Sequence, residues 1–584
     1  MIYIILCVLI TLSIYSSRKY KLEKTIFHIL ATILCFQFAS SKYLNQQLLA
    51  LFLQSLVLLD IYKKKFYIRN IIPGFLGVYW LTVVDTTLII SILTIIAFSS
   101  LYLSIEYVFK RYLGFPIFGI ILYLTRIGSG IINMYRFGNL TIYDILSLPT
   151  AVSVSEGYEL ALSTPLYFML IEIIFFSVFY IAAYEGVKYS KLFVLKTMLI
   201  FFVSIVLIGL WSQKKQEIIE AKLNPIESLT ASIIEEVMFQ METDNKEIQI
   251  KELKNFKTED SSFKPNIICI LCESFSDLNN ALNITMSRNP LSSFYALENK
   301  NTKIGTVQVD TFGGGTSKSE WEFLTGLDIS KYSKSQNPFL GHCKENYAIT
   351  SDPTYSKYEK TFIHPFNEMG WNRKQVYKNF GYDNLIFTSN TAMNDTEKIG
   401  RFISDKYIYR EVCKRLNNES PQFIKIVTMQ NHGAYNDLIL PNKIAIEENF
   451  EHKEEIENYL TLVEQSSKSI VSLINHLENH KEEPTLVIFY GDHYPGGIFE
   501  IDKDVRDQEQ IFKTPYLVYS NYTELDEIPK ELDLSLLYSY AKKTGKLNLT
   551  QYEQYLVSLD GKTPNKEFII SRIKNGAIES SNTD

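Results

Sequence analysis

The strongest constraint on this chain is a series of apolar tracts confined to its first 211 residues. A helix that crosses a bilayer needs ~20 mostly apolar residues. The tracts 2–17, 25–41, 48–62, 71–109, 115–134, 165–186 and 192–211 are of that kind. The first is read as an uncleaved span, because no small-residue cleavage site follows it and further spans come after. Lys and Arg cluster in four loops, at Arg18/Lys19/Lys21/Lys24, Lys63/Lys64/Lys65/Arg69, Lys110/Arg111 and Lys188/Lys191. Basic loops stay cytoplasmic, so the tract 71–109 must return to its starting side, either as a short hairpin or as a surface-lying stretch with a re-entrant piece. The chain beyond Trp211 then exits outward, against the weaker opposing signal of Lys214 and Lys215. Arg126 and Arg136 lie within or at the end of an apolar helix. An intramembrane Arg is there either for a functional contact, such as a lipid phosphate, or for a partner on another helix.

From Gln213 onward the composition is that of a soluble protein, and 584 residues exceed one compact domain. The expected division is a multi-span membrane domain (1–212), a charged, helical linker (213–263) and an extracellular domain (264–584). In the linker the run 226–242 reads as a helix, with Asn224 as cap and Pro225 at its first position. Net charge is −6 with no basic stripe, which argues against nucleic acid as a partner. Six cysteines are present, and Cys269 and Cys272 form a C-x-x-C inside an apolar run. A zinc site would need a second pair, so a buried strand is the reading. So few cysteines outside the membrane also argue against a disulfide framework.

After Pro265, short apolar runs alternate with amphipathic stretches, the pattern of a largely parallel α/β sheet. Strands are expected at 266–271, 423–428, 485–490 and 516–519, with a helical stretch at 448–478. Ligands gather beyond the carboxyl ends of such strands. The first runs into Cys272-Glu273-Ser274, the second into Gln430-Asn431-His432, the third into Gly491-Asp492-His493. Glu, Asp and His together suit Mn²⁺, Mg²⁺ or Zn²⁺, although any one alone is as well explained by a helix cap.

A fourth element is Thr311-Phe-Gly-Gly-Gly-Thr316-Ser-Lys-Ser-Glu320. Its glycines permit a tight bend and a close approach to a ligand. Thr316 opens a helix expected at 317–325, where the N-terminal dipole favours an alkoxide and any phosphate it carries. The competing reading makes Thr316 an N-cap completed by Ser319 or Glu320.

Five separated pieces together resemble the lipoteichoic acid synthase family, the membrane phosphoglycerol transferases of the alkaline phosphatase/sulfatase superfamily. They are C-E-S-F-S around Glu273, G-G-G-T-S-K-S-E around Thr316, H-P-F-N-E-M-G-W-N-R from His364 to Arg373, Q-N-H ending at His432, and Y-G-D-H-Y around Asp492 and His493. The resemblance spans about 265–519. It implies an N-terminal polytopic α-helical membrane domain and a C-terminal alkaline phosphatase/sulfatase-like α/β domain with a mostly parallel central sheet. It further implies Glu273, Thr316, Asp492 and His493 as metal ligands, Thr316 as nucleophile, and His364, Trp371, Arg373 and His432 as the substrate pocket. Ser404-Asp405-Lys406 also resembles a family stretch near the site, with no role attached. The turn G-G-G-T departs from the polar turn of true lipoteichoic acid synthases, and the tract 71–109 and the loop 137–162 depart from their five-helix plan.

The activity implied is transfer of phosphoglycerol from phosphatidylglycerol, through a Thr316-linked intermediate and one divalent metal, Mn²⁺ first and Mg²⁺ or Zn²⁺ as alternatives. The acceptor is lipoteichoic acid or another surface glycan. The implied location is the cell membrane of a Gram-positive bacterium, with the catalytic domain outside. On this resemblance Arg373 is suited to phosphate, while His364 and His432 can donate to phosphoryl oxygens or shuttle a proton. A sulfatase would need C/S-x-P-x-R, which no cysteine here satisfies. A two-metal phosphatase would want a second Asp/His set. A phosphoethanolamine transferase shares fold and nucleophile but is usually cysteine-bridged. A non-catalytic scaffold would be expected to have lost a ligand or the nucleophile.

Overall fold

The computed structural model describes residues 72–577 except 82–87, 110–112, 137, 155–163, 183–188, 220–222, 243–244, 259–261, 334, 342–347, 389–396 and 417–419. The spans expected at 2–17, 25–41 and 48–62 lie outside the described residues, as do the basic loops at 18–24, 63–69 and 110–111.

The tract 71–109 forms two helices that pack on each other, α1 (Ile72–Leu81) and α2 (Leu88–Phe109). Ten residues rise only about 15 Å, so α1 is too short to cross a hydrocarbon core of ~30 Å. Gly74 and Gly77 permit the close packing, since a Cβ at either would collide with Ile95 or Phe98 of α2. There follow α3 (Gly114–Arg136), α4 (Ile142–Leu146), α5 (Leu148–Ser153), α6 (Thr164–Ala182) and α7 (Lys191–Ile219). Among the described residues, three helical stretches are long and apolar enough to cross a membrane: Ile89–Phe109, Gly114–Arg136 and Lys191–Lys214. The linker helix α8 (Pro225–Met241) starts where the sequence predicts, and the short helix α9 (Lys246–Leu253) follows it. The Asn224 side chain accepts from the backbone N–H groups of Ile226 and Glu227, and Glu227 reaches back to the Asn224 N–H, a reciprocal cap.

The chain forms two compact units. The first comprises residues up to Asn133 with Gly138–Ile142 and Leu160–Gln240; the second comprises Met134–Phe137, Tyr143–Glu159 and everything from Met241. The boundary therefore falls inside the stretch expected as linker, and two short pieces of the apolar half belong to the second unit.

That second unit is built on one eight-stranded sheet. Its strands are β1 (Asn266–Cys272), β2 (Thr302–Gln308), β3 (Glu359–His364), β4 (Asn384–Phe387), β7 (Gln422–Val427), β8 (Thr485–Gly491), β9 (Lys513–Ser520) and β10 (Glu531–Asp533), in the order β10-β2-β9-β8-β1-β7-β3-β4. A separate two-stranded ribbon pairs β5 (Lys398–Ile399) with β6 (Phe402–Ile403). The sheet is mostly parallel, as expected. The exception is β9, which runs antiparallel to both its neighbours. Every residue of β1 is buried, as is every residue of β7 and β8. This is why those segments read as continuous apolar runs rather than alternating ones, and why Cys269 and Cys272 are buried free thiols. The stretch 448–478 is helical from Lys453 to Glu478. Its start is delayed because the Glu448 carboxylate accepts from the Thr285 N–H, which holds that segment as a turn.

Register sets the site. Leu271 of β1 pairs with Val427 of β7 and Tyr490 of β8, and Ile363 of β3 pairs with Ile426 of β7. The four strands thus end level, and the residues that follow them share one edge.

Candidate active site

Thr316 opens the helix α10 (Thr316–Thr325), one residue earlier than the pattern predicts. The cap is Gly315, in a left-handed conformation at φ 89°, and no side chain caps the helix. The N-cap reading of Thr316 is thereby corrected. Its hydroxyl is turned instead toward Glu273, whose Oε2 lies 3.3 Å away, and toward His493 Nε2 at 3.4 Å. It sits at the positive end of the helix dipole.

Glu273, Asp492 and His493 are buried and close enough to hold one ion. The Glu273 N–H donates to Thr428 Oγ1 at 3.2 Å, tying the end of β1 to that of β7. Ser274 adopts φ 48°, a costly conformation for a non-glycine residue. It is held there by its N–H on Asp492 Oδ1 (2.8 Å) and by Tyr459, whose hydroxyl donates to its carbonyl (2.7 Å). His493 Nδ1 faces the Tyr494 carbonyl at 2.9 Å, so it is the donor there and Nε2 carries the lone pair. That lone pair lies 3.2 Å from Asp492 Oδ2 and 3.5 Å from Glu273 Oε1.

The donor set fits a divalent cation. Asp492 Oδ2 is buried and has no hydrogen-bond partner among the described residues, a costly state for a carboxylate oxygen. Burial, with the Glu273 carboxylate beside it, pushes the Asp492 carboxyl up to about 7. Two carboxylates, an imidazole lone pair and one hydroxyl therefore converge on a space that a positive ion would stabilise.

A second group adjoins this one. Glu320, one turn after Thr316 on α10, accepts from Arg373 Nε and Nη2 at 2.9 and 2.7 Å, and from the Tyr377 hydroxyl at 2.8 Å. Arg373 Nη1 donates to His364 Nε2 at 3.2 Å, while His364 Nδ1 donates to the Val427 carbonyl at 2.9 Å. Both His364 nitrogens are thus committed, and burial with the neighbouring guanidinium holds its pKa well below the usual imidazole range. The expectation that His364 donates to a phosphoryl oxygen is therefore corrected: its one N–H already serves Val427. His432 interacts electrostatically with His364, and its Nδ1 lies 2.6 Å from the Gly433 carbonyl, leaving Nε2 for other use. Trp371 and Asn372 both adopt φ 56°, and the Trp371 N–H donates to Thr150 Oγ1 at 2.9 Å.

Several residues escaped sequence reasoning. Thr311 and Ser319 hydroxyls both donate to the Asp492 carbonyl, at 3.1 and 3.0 Å, and fix that loop. Lys425 on β7 is fully buried, donates to the Tyr490 hydroxyl at 2.8 Å and lies 4.7 Å from the Phe323 and Tyr490 ring centres. Burial lowers its pKa to about 8. Asp405, in the stretch left without a role, accepts from Ser466 and from the Cys272 thiol, beside Glu273. The role of Glu320 escaped as well, although its four-residue spacing from Thr316 on one helix face was a signal for it.

The glycine-rich turn also differs from expectation. A Cβ at Gly313 or Gly496 would overlap the Tyr135 carbonyl oxygen, one at Gly497 the Tyr135 ring, and one at Gly314 would lie 3.2 Å from Arg136 Cδ. The close neighbour of Gly313 and Gly314 is therefore the chain's own segment Tyr135–Arg136 rather than a ligand. Arg136 is paired with Asp144, so of the two readings open for this residue the structure supports a structural partner.

Residues 265–537 match the Sulfatase family. Among curated proteins, a Rhizobium meliloti protein named for cyclic beta-1,2-glucan modification is 29% identical over 280 residues, 44% of this chain and 42% of that protein. The lipoteichoic acid synthase of Staphylococcus aureus is 26% identical over 249 residues, 40% of this chain and 36% of that protein. The matched regions thus span less than half the length of either relative. Among solved structures, the Streptococcus pyogenes phosphoglycerol transferase GacH in complex with sn-glycerol-1-phosphate aligns at 24% identity and a TM-score of 0.48, covering 58% of this chain and 90% of that one. The match to the Sulfatase family takes in β1 to β10 of the sheet and the residues that follow their ends, just under half of the chain, and the apolar helices precede it.

Proposed function

We propose that the chain is a membrane-bound phosphoglycerol transferase that works through a covalent Thr316 intermediate. The observation that carries this reading is the Thr316 hydroxyl, at a helix N-terminus, facing Glu273, Asp492 and His493 with one carboxylate oxygen unpartnered. Glu273, Asp492, His493 and Thr316 would hold the cation. When bound, a divalent ion, Mn²⁺ first and Mg²⁺ or Zn²⁺ as alternatives, supplies charge stabilisation for an alkoxide and for phosphoryl oxygens.

Thr316 Oγ attacks the phosphorus of phosphatidylglycerol. A Thr316 O–P bond forms, the P–O bond to diacylglycerol breaks, and the departing oxygen takes up a proton. Glu273 Oε2 orients the nucleophile by accepting its hydrogen bond. His432 Nε2 is the nitrogen left to move a proton to the leaving oxygen. Arg373, fixed by Glu320, contributes positive charge and its uncommitted N–H groups toward the phosphate. A hydroxyl of lipoteichoic acid or of another surface glycan then attacks the phosphoglycerol–threonine ester and regenerates Thr316. Similarity to a protein named lipoteichoic acid synthase supports the donor; similarity to one named for glucan modification supports a glycan acceptor. We place the catalytic domain outside the cell membrane, as the distribution of basic loops implies.

The test is diacylglycerol release from labelled phosphatidylglycerol by purified full-length protein with Mn²⁺, beside a Thr316→Ala control. Release that requires both the metal and Thr316 is expected. Folded, metal-loaded protein that releases none would rule out phosphatidylglycerol, and the same assay with phosphatidylethanolamine would then examine phosphoethanolamine transfer.

A further inference from the structure

The short helices α4 and α5 leave apolar side chains in the open beside the site. Ile145, Leu146 and Leu148 are 49, 53 and 59% exposed, Met134 in the last turn of α3 is 61% exposed, and Met369 is 68% exposed. All five belong to the unit that contains the sheet. Chain neighbours and the contacts of those neighbours link them. Met134 directly precedes Tyr135 and Arg136, Arg136 is paired with Asp144 next to Ile145, and Thr150 of α5 accepts from Trp371, two residues after Met369. Five large apolar side chains in one neighbourhood are more than scattered surface residues, and such patches mark interaction sites.

What covers them follows from continuity. The stretch Gly114–Arg136 is one of the three long and apolar enough to cross a membrane. At 1.5 Å per residue its 23 residues extend about 34 Å, slightly more than a hydrocarbon core of ~30 Å. Its last turn therefore reaches a membrane face. Ile145–Leu148 follow nine to twelve residues later, and the apolar helix α6 begins at Thr164. A segment that lies in sequence between two apolar helices, and that combines exposed apolar side chains with the Arg136–Asp144 pair, has the composition of an interfacial element.

We infer that Met134, Ile145, Leu146, Leu148 and Met369 form a lipid-docking surface of the sulfatase-like unit, seated among the upper acyl chains of the bilayer. Because Thr150 joins this surface to Trp371, the surface sets the depth at which the site meets a lipid headgroup. The inference rests on the reading of α3 as a membrane span, and the experiment separates the two. A photoreactive benzoyl-phenylalanine is placed at Ile145, Leu148, Leu124 or Glu524 in the full chain. Leu124 lies in mid-α3 and is exposed. Glu524 lies just beyond β9, whose end is held against Thr485 at the start of β8, the sheet edge away from the site. Each protein is reconstituted into vesicles of phosphatidylcholine and phosphatidylglycerol with radiolabelled acyl chains and irradiated. Lipid label at 145 and 148 comparable to that at 124, and lost at 524, is the expected result. Label at 124 with none at 145 or 148 would overturn the docking surface while leaving the span intact. No label at 124 would overturn the span and the inference with it. Cross-linked dimers from 145 and 148 without lipid label would assign the patch to a second copy of the chain and equally overturn it.

Discussion

Thr316 and Glu320 show how one turn of helix serves two tasks. Thr316 faces the carboxylates, while Glu320 holds the guanidinium of Arg373 in a fully buried pair. Replacing Thr316 with Ala removes the nucleophile and is expected to lower turnover by at least about a thousandfold, while Glu273, Asp492 and His493 still retain metal in elemental analysis of the purified protein. Glu320→Ala acts differently, because it strands a buried Arg373. Breaking such a pair costs about 3–5 kcal/mol, so a lowered urea midpoint should accompany the activity loss; an unchanged midpoint would remove the structural role assigned to the pair. Asp405 offers a pH test. Burial raises its folded-state pKa to about 6, above the unfolded ~3.9. The folded state thus binds the extra proton, and the associated stability is fully present below about pH 4 and lost as pH rises through 6, a change on the order of 3 kcal/mol. In Asp405→Asn the difference in stability between pH 4 and 7 should shrink by that order. Equal pH profiles for the two proteins would show that Asp405 does not titrate as assigned.

At the scale of elements, the Gly-rich turn before α10 and the loop after β8 share a common neighbour in Tyr135, the penultimate residue of α3. Gly496→Ala would force its Cβ into the Tyr135 carbonyl and shift the Asp492–His493 loop. Misplacement on the order of 1 Å can cost about a hundredfold in rate, and a loss of that size in diacylglycerol release is expected. Gly130→Ala, with nothing among the described residues within 4 Å of its Cβ, is the control and should leave the rate unchanged. If both variants behave alike, the contact with Tyr135 has no bearing on the site. The glycines themselves were legible in the sequence, but the reason for them was not. A pattern of three glycines announces a close approach and is silent on what approaches.

For the whole molecule, the convergence of Glu273, Asp492 and His493 predicts that metal binding stabilises the folded state. A ligand at a hundred times its dissociation constant contributes about 2.7 kcal/mol. Chelator-treated full-length protein should therefore gain thermal stability on addition of Mn²⁺, and Asp492→Asn should abolish the gain. An equal gain in that variant would place the ion elsewhere. The buried strands β1, β7 and β8 were readable because a parallel sheet covered on both faces requires unbroken apolar runs, and the polar residues after them were readable because strand ends are where such sheets bind ligands. The separated motifs likewise carried a resemblance with which the Sulfatase match over 265–537 agrees. The tertiary structure alone decided which hydrogen bonds the site residues had already spent. It committed both nitrogens of His364, turned Thr316 away from capping, reversed β9 and brought Tyr135 and Thr150 from the apolar half into the sheet unit. The physical reason is range: periodicity and strand-end chemistry act between residues near in sequence, whereas most of these contacts join residues separated by tens to hundreds of positions, and no local pattern encodes them.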